Sequence, residues 1–97
     1  MSQAIWKFPL PLTDEAVVKM PVNAKILCIQ EQNSLPCIWA RVDTKNPTEE
    51  RKFKIFCTGH EHESIAGDYI GTVQFAGGQL VFHIFEDTTR YLKVDPK

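Results

Sequence analysis

The chain has 97 residues, of which 43% are hydrophobic and 24% charged, so its composition is that of one folded globular domain and excludes a disordered chain. Eleven Lys and Arg against twelve Asp and Glu leave a formal net charge of −1, which excludes an overall positive field for collecting nucleic acid or an anionic membrane surface. The longest apolar runs fall far short of the roughly 20 residues of a membrane-spanning helix, so no membrane partner is expected.

The first part of the chain predicts two short strands. Residues 4–8 are rich in β-branched and aromatic side chains, and Pro9 and Pro11 follow them. Because proline has no N–H to donate to a neighbouring strand, residues 4–8 are predicted to form an edge strand. Residues 13–21 begin with helix-capping chemistry, but their paired valines favour a second short strand over a helix.

The middle of the chain predicts three further strands. Residues 24–30 and 37–43 are apolar runs separated by turn residues at 32–34, and together they predict a hairpin. Residues 51–57 begin with the alternation of charged and apolar side chains that is typical of a half-exposed strand. The two faces described next require residues 51–57 to pair with residues 37–43 in antiparallel register.

This pairing would sort the side chains of the two strands onto two faces. The buried face would hold Ile38 and Ala40 with Phe53 and Ile55, and the exposed face would hold Trp39, Arg41, Lys52 and Lys54. An aromatic ring beside cations can stack on a base and pair with a phosphate, so the exposed face, with His60 at its end, is a candidate site for a small anionic or nucleotide ligand. The alternative is an ordinary solvated face whose lysines discourage aggregation, and a register shift of one residue would separate the four side chains.

A glycine pair predicts the last hairpin. Gly77-Gly78 can adopt the positive φ angles of a tight two-residue turn, which joins residues 72–76 to residues 79–86. The register that follows places Phe75 opposite Leu80, Val73 opposite Phe82 and Thr72 opposite His83. His83 is therefore expected to bond to the Thr72 hydroxyl or to a residue across a subunit interface.

Six or seven short strands with no long helix predict a single all-β domain over residues 1–97, either a small antiparallel β-sandwich or a partly open barrel. Residues 88–97 are expected to form a polar, loosely held tail. The run LVFHIF at residues 80–85 is apolar on both faces, so we expect a homo-oligomer in which a second copy covers its outer side. The side chains expected at an interface between copies are Trp6, Phe8 and His83.

The stretch CTGHEHE at residues 57–63 contains side chains that commonly bind zinc or transfer protons. His60 and His62, with Glu63 as base, would suit a small metal-dependent hydrolase. Zinc needs a third protein ligand, and none stands at a recognisable spacing, so we favour a solvated polar loop. A Cys57–His60 nucleophile lacks an orienting third group. With no phosphate-binding glycine loop and no serine-hydrolase motif, we expect no catalytic residues, no cofactor and a protein that is not an enzyme.

The cysteines indicate a reducing compartment. Cys28, Cys37 and Cys57 are an odd number at irregular spacing, and nothing at the N-terminus resembles an export signal. These features favour reduced thiols and hence a location in the cytoplasm. Cys28 and Cys37 each stand in an apolar run, where a free cysteine serves as a small buried hydrophobe.

Segments spread over nearly the whole chain resemble a family of small proteins of unknown function that phages and prophages encode. The segments are IWKFPL at residues 5–10, TGH at residues 58–60, IGTVQ at residues 70–74 and LVFHIFE at residues 80–86. The chain departs from the pattern of that family at Cys57 and at Glu61-His62, which argues against a metal-binding pair common to the family.

The resemblance implies no catalytic role. It implies an accessory protein, in the cytoplasm of the host cell, that binds a host protein or a signalling nucleotide and so counters a host defence. The alternatives are a small metal-dependent hydrolase that uses His60, His62 and Glu63, and a structural component of the virion.

Overall fold

A computed structural model describes residues 2–88, which form two antiparallel β-sheets. The strands are β1 (Gln3–Pro9), β2 (Glu15–Pro21), β3 (Lys25–Gln32), β4 (Leu35–Asp43), β5 (Thr48–Cys57), β6 (Asp68–Phe75) and β7 (Leu80–Glu86). Sheet A contains three strands in the order β1-β4-β3, and sheet B contains four in the order β2-β5-β7-β6. The prediction of a small antiparallel β-sandwich is confirmed.

Three further sequence predictions concern the C-terminal tail, membrane-spanning helices and the state of the cysteines. From residue 89 onward, the predicted tail lies outside the described residues. Within residues 2–88 no helix is long and apolar enough to span a bilayer. None of the three cysteines, all of which lie within the described residues, forms a disulfide bond; Cys37 is buried, and Cys28 and Cys57 are half-buried.

Both predicted hairpins are present. β3 and β4 are joined by Asn33 and Ser34, whose φ angles of 55° and 67° belong to a tight turn. β6 and β7 are joined by residues 76–79, with a 3-10 turn over Ala76–Gly78 in which Ala76, Gly77 and Gly78 have φ angles of 52°, 65° and 93°. The glycine pair lies in this turn as predicted, but the connection is longer than a two-residue turn because Ala76 also leaves the strand conformation. The register predicted for this second hairpin is confirmed: Phe75 lies opposite Leu80, Val73 opposite Phe82 and Thr72 opposite His83.

The two N-terminal strands lie at sheet edges. β1 is an edge strand of sheet A, as predicted for residues 4–8, and β2 is an edge strand of sheet B. Leu10 N donates to Pro36 O of sheet A at 2.8 Å, and Ile55 N of sheet B donates to Asp14 O at 3.0 Å. The connection between β1 and β2 therefore crosses from one sheet to the other.

The predicted pairing of residues 37–43 with residues 51–57 is wrong, because β4 and β5 belong to different sheets. The connection between them is held at the end of β2, where Val22 N donates to Pro47 O and Asn46 Nδ2 donates to Val22 O, both at 2.8 Å. The chain therefore crosses the sandwich after β4 instead of turning back as a hairpin. Alternating apolar residues do not reveal this, since they reach the same core from either sheet.

The core lies between the inner faces of the sheets. Ile38 and Ala40 of β4 are buried together with Phe53 and Ile55 of β5, as expected, but across the sandwich instead of within one sheet. On one side the edges of the two sheets meet closely, because a Cβ on Gly71 of β6 would lie 2.6 Å from Cγ2 of Ile29 in β3. The absence of a side chain at residue 71 lets β3 and β6 approach there.

A charged pair lies among these apolar side chains. Arg51 of β5 and Glu86 of β7 face the core, with side chains only 12% and 7% exposed. The guanidinium binds the carboxylate through two hydrogen bonds, Nε to Oε2 at 2.7 Å and Nη2 to Oε1 at 2.8 Å. Nη1 donates to Ala24 O at 2.7 Å, just before β3. Arg51 therefore joins two strands of sheet B to the start of a strand of sheet A.

Removing the carboxylate of this pair should be strongly destabilising. We expect Glu86→Ala to lower the free energy of unfolding by about 3–5 kcal/mol, because the charge of Arg51 loses its bidentate acceptor inside the protein. The double variant Arg51→Met, Glu86→Leu should lose less, since it buries neither charge. Urea unfolding measures both, with Glu63→Ala in the exposed loop as the control. A loss for Glu86→Ala no larger than that of the control would contradict the role given to the pair.

A second close approach lies at Gly67, just before β6, where the backbone passes next to that of Glu86. Gly67 has a φ of 107°, and a Cβ there would overlap the backbone carbonyl oxygen of Glu86. Gly59 also has a positive φ, 91°, but nothing lies within 4 Å of its Cβ position. Gly59→Ala should cost about 1–2 kcal/mol for left-handed backbone, and Gly67→Ala about 2–4 kcal/mol because the overlap adds to that strain. Thermal unfolding compares the two, and equal losses would rule out the overlap.

Candidate ligand-binding face

The outer side of sheet B carries polar and aromatic side chains in two adjacent cross-strand rows. They come from β5, β7 and β6, and we call them the sheet B face: Lys54, Phe85 and Tyr69 in one row, and Phe56, His83 and Thr72 in the next. Their outward direction follows from the alternation of side chains along a strand, since Phe53, Ile55 and Ile84 of the same strands are buried in the core.

His83 is the centre of a hydrogen-bonded chain that crosses this face. Its Nε2 lies 2.6 Å from Thr58 Oγ1, and its Nδ1 lies 3.0 Å from Thr72 Oγ1. Thr72 Oγ1 lies 2.6 Å from the hydroxyl of Tyr69, which ends the chain. The predicted contact between His83 and Thr72 is confirmed.

The proton positions in this chain are linked. A neutral imidazole donates from one nitrogen and accepts at the other. If Nδ1 accepts from Thr72, the single Thr72 proton is used and Tyr69 donates to Thr72; if Nδ1 donates to Thr72, the Thr72 hydroxyl can donate to Tyr69. A protonated imidazole donates from both nitrogens, which leaves the Thr72 proton available for Tyr69 and the phenol proton available for an acceptor outside the protein. A ligand that accepts a hydrogen bond from the Tyr69 hydroxyl, as an anion does, selects the arrangements that run towards Tyr69.

Aromatic rings line the same face. The ring centroids of Tyr69 and Phe85 are 5.4 Å apart, and those of Phe85 and Phe56 are 5.6 Å apart. His62, from the loop after β5, packs edge-on against Phe56 at 4.8 Å. Phe56 is only 9% exposed whereas Tyr69 is 59% exposed, so of these two rings the Tyr69 ring is the one open to a ligand.

Lys54 brings a positive charge to the border of this aromatic cluster. It lies opposite Phe85 on one side and opposite Glu15 of β2 on the other. Lys52, two residues earlier on β5, lies opposite Val17. Both lysines are half-buried, which is usual for a side chain that packs its aliphatic stem and keeps its ammonium group in water.

The aromatic and arginine half of the predicted exposed face lies elsewhere. Trp39 and Arg41 are on the outer side of sheet A, where Trp39 lies opposite Lys7. Arg41 lines a polar cavity of about 370 Å³ with Asp43 and Asn46. The structure therefore does not bring Trp39 and Arg41 together with the two predicted lysines, because β4 and β5 are in different sheets.

The histidines of CTGHEHE lie at one end of the sandwich. His60 and His62 line a cavity of about 170 Å³ together with Cys57 and Asp14, and Glu63 does not line it. No three His, Cys, Asp or Glu side chains of residues 2–88 are arranged to hold a metal ion. The metal-dependent alternative therefore has no assembled site in that part of the chain.

The predicted interface residues do not share one surface. Trp6 is on the inner side of β1, opposite Ala40, and is 41% exposed. Phe8, on the same side, is half-buried and packs against the core. His83 belongs to the outer side of sheet B. A homo-oligomer stays a prediction, and no single surface contains these three side chains.

Tyr69 and Phe85 belong to the candidate site but were missed by sequence reasoning. Continuing the register of the β6–β7 hairpin without interruption would place Ile70, not Tyr69, opposite Phe85. A β-bulge between Tyr69 and Gly71 shifts the register and brings the tyrosine into that row. The glycine next to Ile70 is the local signal that could have suggested a bulge.

The fold and this face define a small all-β sandwich with a polar and aromatic outer surface. Over residues 1–93 the chain matches the family described as "Domain of unknown function (DUF7352)", and it belongs to that family. No curated protein and no solved structure matches the chain. The resemblance to a family of unknown function is confirmed at this level, and the phage origin stays a prediction.

The hydrogen-bonded chain should contribute to stability mainly through its central links. We expect Thr72→Val to lower the free energy of unfolding by about 1 kcal/mol, because it removes a partner of both His83 and Tyr69. Tyr69→Phe removes only the end of the chain, where water can replace the phenol, and should cost less. Urea unfolding measures the free energy of unfolding of both variants, and a larger loss for Tyr69→Phe than for Thr72→Val would contradict this prediction.

Proposed function

We propose that this protein is a non-enzymatic binding protein whose sheet B face takes a small planar anion of the nucleotide class. The observation that supports it most is the position of Tyr69, whose exposed ring packs on Phe85 and whose hydroxyl ends the chain through Thr72 and His83. Because its ring packs against Phe85 and its hydroxyl is hydrogen-bonded to Thr72, Tyr69 offers a preorganised surface to a base. Base stacking on an aromatic side chain contributes about 1–3 kcal/mol.

Lys54 supplies the charge that the anion requires. It is on β5 and Tyr69 is on β6, on either side of β7, so the two backbones are about 10 Å apart at the usual strand spacing. A ring stacked on Tyr69 can carry an anionic group on a short arm towards the ammonium group. The Tyr69 hydroxyl meanwhile donates to an acceptor on the ligand, which the linked protons of the chain allow.

The size of the face favours a small ligand over a host protein. Of its phenyl and phenol rings, those of Phe56 and Phe85 are largely covered and that of Tyr69 is exposed. One accessible ring suits one stacked base, whereas a stable protein interface buries about 800 Å² per partner.

The resemblance to phage and prophage proteins supplies the biological setting of the proposal. In the cytoplasm of a host cell, a protein that sequesters a signalling nucleotide lowers its free concentration. A host defence that depends on that nucleotide is then blunted, without any catalytic step.

Calorimetric titration of the full chain tests the proposal. The probes are nucleoside monophosphates and cyclic dinucleotides, with a nucleoside and inorganic phosphate as the separate halves of the ligand. A nucleotide should bind more tightly than either half. Tyr69→Leu should weaken its binding by about 5- to 150-fold, the equivalent of losing one stacked base.

Charge variants on the two sheets provide the matched comparison. Lys54→Gln should weaken nucleotide binding and reduce its dependence on salt, since an exposed charge pair is screened by ions. Arg41→Gln, on the outer side of sheet A, should leave binding unchanged. Failure of every nucleotide to bind, or a loss caused by Arg41→Gln and not by Tyr69→Leu, would overturn the proposal.

A further inference from the structure

A second cavity, separate from the sheet B face, opens between the two sheets at one end of the sandwich. It lies between the β3–β4 turn of sheet A and the β6–β7 turn of sheet B and measures about 620 Å³. This volume is in the range of roughly 300–1,000 Å³ that is usual for small-molecule sites. We call it the end cleft.

Apolar side chains form the wall of the end cleft. They are Leu12, Phe75, Leu80 and Phe82. The rings of Phe75 and Phe82 meet edge to face, with centroids 5.7 Å apart. Leu80 faces inward from β7 and is nevertheless 47% exposed, so the cleft leaves inner apolar surface in contact with water. An apolar ligand body that filled the cleft would remove this surface from water.

One carboxylate gives the end cleft its charge. Among the described residues that line it, Glu31 is the charged one. Its Oε2 accepts a hydrogen bond from Ser34 N at 2.8 Å, which holds the carboxylate at the β3–β4 turn. A negative charge beside aromatic rings favours a cation that carries N–H donors, because the ammonium can pair with the carboxylate and lie against a ring.

Leu12 and Phe82 lie where the end cleft meets a second cavity. Leu12 stands in the middle of the connection between β1 and β2, which is tied to sheet A at Leu10 and to sheet B at Asp14. Leu12 and Phe82 line both the end cleft and the 170 Å³ cavity beside His60. The two cavities therefore adjoin at these two side chains, and a ligand with a compact body would fill the end cleft without entering the second cavity.

We infer that the end cleft binds a small primary amine with a compact apolar body. The ammonium group pairs with Glu31 at the β3–β4 turn, and the apolar body lies against Phe75, Phe82 and Leu80. This site uses the inner side of the β6–β7 hairpin, so it does not depend on ligand binding at the sheet B face.

The test is an NMR titration of the ¹⁵N-labelled full chain with phenethylamine as the probe. Phenylacetate, which carries the opposite charge on the same ring, is the paired probe. Phenethylamine should shift the amide signals of Leu12, Leu80 and the two turns in a saturable way, and phenylacetate should not. Glu31→Gln should weaken phenethylamine binding by about fivefold or more.

Two features keep the test decisive. The glutamine in Glu31→Gln retains an oxygen that can accept from Ser34 N, so the turn is preserved and its amide dispersion checks this directly. Glu63→Gln, in the loop after β5, is the matched control and should not affect binding. Equal binding of phenylacetate, amide shifts confined to other parts of the protein, or equal losses in the two variants would overturn the inference.

Discussion

Inside the sandwich, the guanidinium of Arg51 holds the Glu86 carboxylate on one side and the Ala24 carbonyl on the other. An ion pair in this position has little net effect compared with apolar residues of the same size, but an unpaired charge there is costly. We infer that the pair acts chiefly against other arrangements of the strands, because a sheet that separated β5 from β7 would break both hydrogen bonds between Arg51 and the buried Glu86 carboxylate. With β5 held beside β7, Lys54 lies next to Phe85 and Phe56 lies next to His83. The sheet B face depends on this pairing.

The parts of the fold that are local in sequence could be predicted, and the parts that join distant segments could not. The Asn33-Ser34 turn and the short turn through Gly77-Gly78 determine their hairpins, because a short turn restricts the register of the strands it joins. The connection between β4 and β5 is held instead by hydrogen bonds of Val22 with Asn46 and Pro47. The pattern of apolar and polar residues does not predict these bonds. Both placements of β4 and β5, in one sheet or in two, bury Ile38 with Phe53, so hydrophobic alternation could not distinguish them.

The contacts of the candidate site likewise fall into those that the sequence predicts and those that depend on distant segments. The contact of His83 with Thr72 follows from the Gly-Gly turn and was accessible from sequence. The approach of Tyr69 to Phe85 depends on a bulge that moves one residue out of register, and Lys54 reaches this cluster only because β5 pairs with β7. The β6–β7 hairpin then serves both proposed sites, since alternate residues of a strand face opposite sides: His83 and Thr72 face outward, and Phe82 and Phe75 face the end cleft.

The central claim is that the outer side of sheet B, and not that of sheet A, is where an anionic ligand binds. The most direct test follows the imidazole nitrogens of His83 and the indole N–H of Trp39 by NMR while a nucleotide is added to the ¹⁵N-labelled protein. The account predicts that the His83 signals move towards a state that donates from Nδ1 to Thr72, because the bound anion accepts from Tyr69, while the Trp39 indole signal stays in place. Movement of the Trp39 signal with no change at His83 would contradict it.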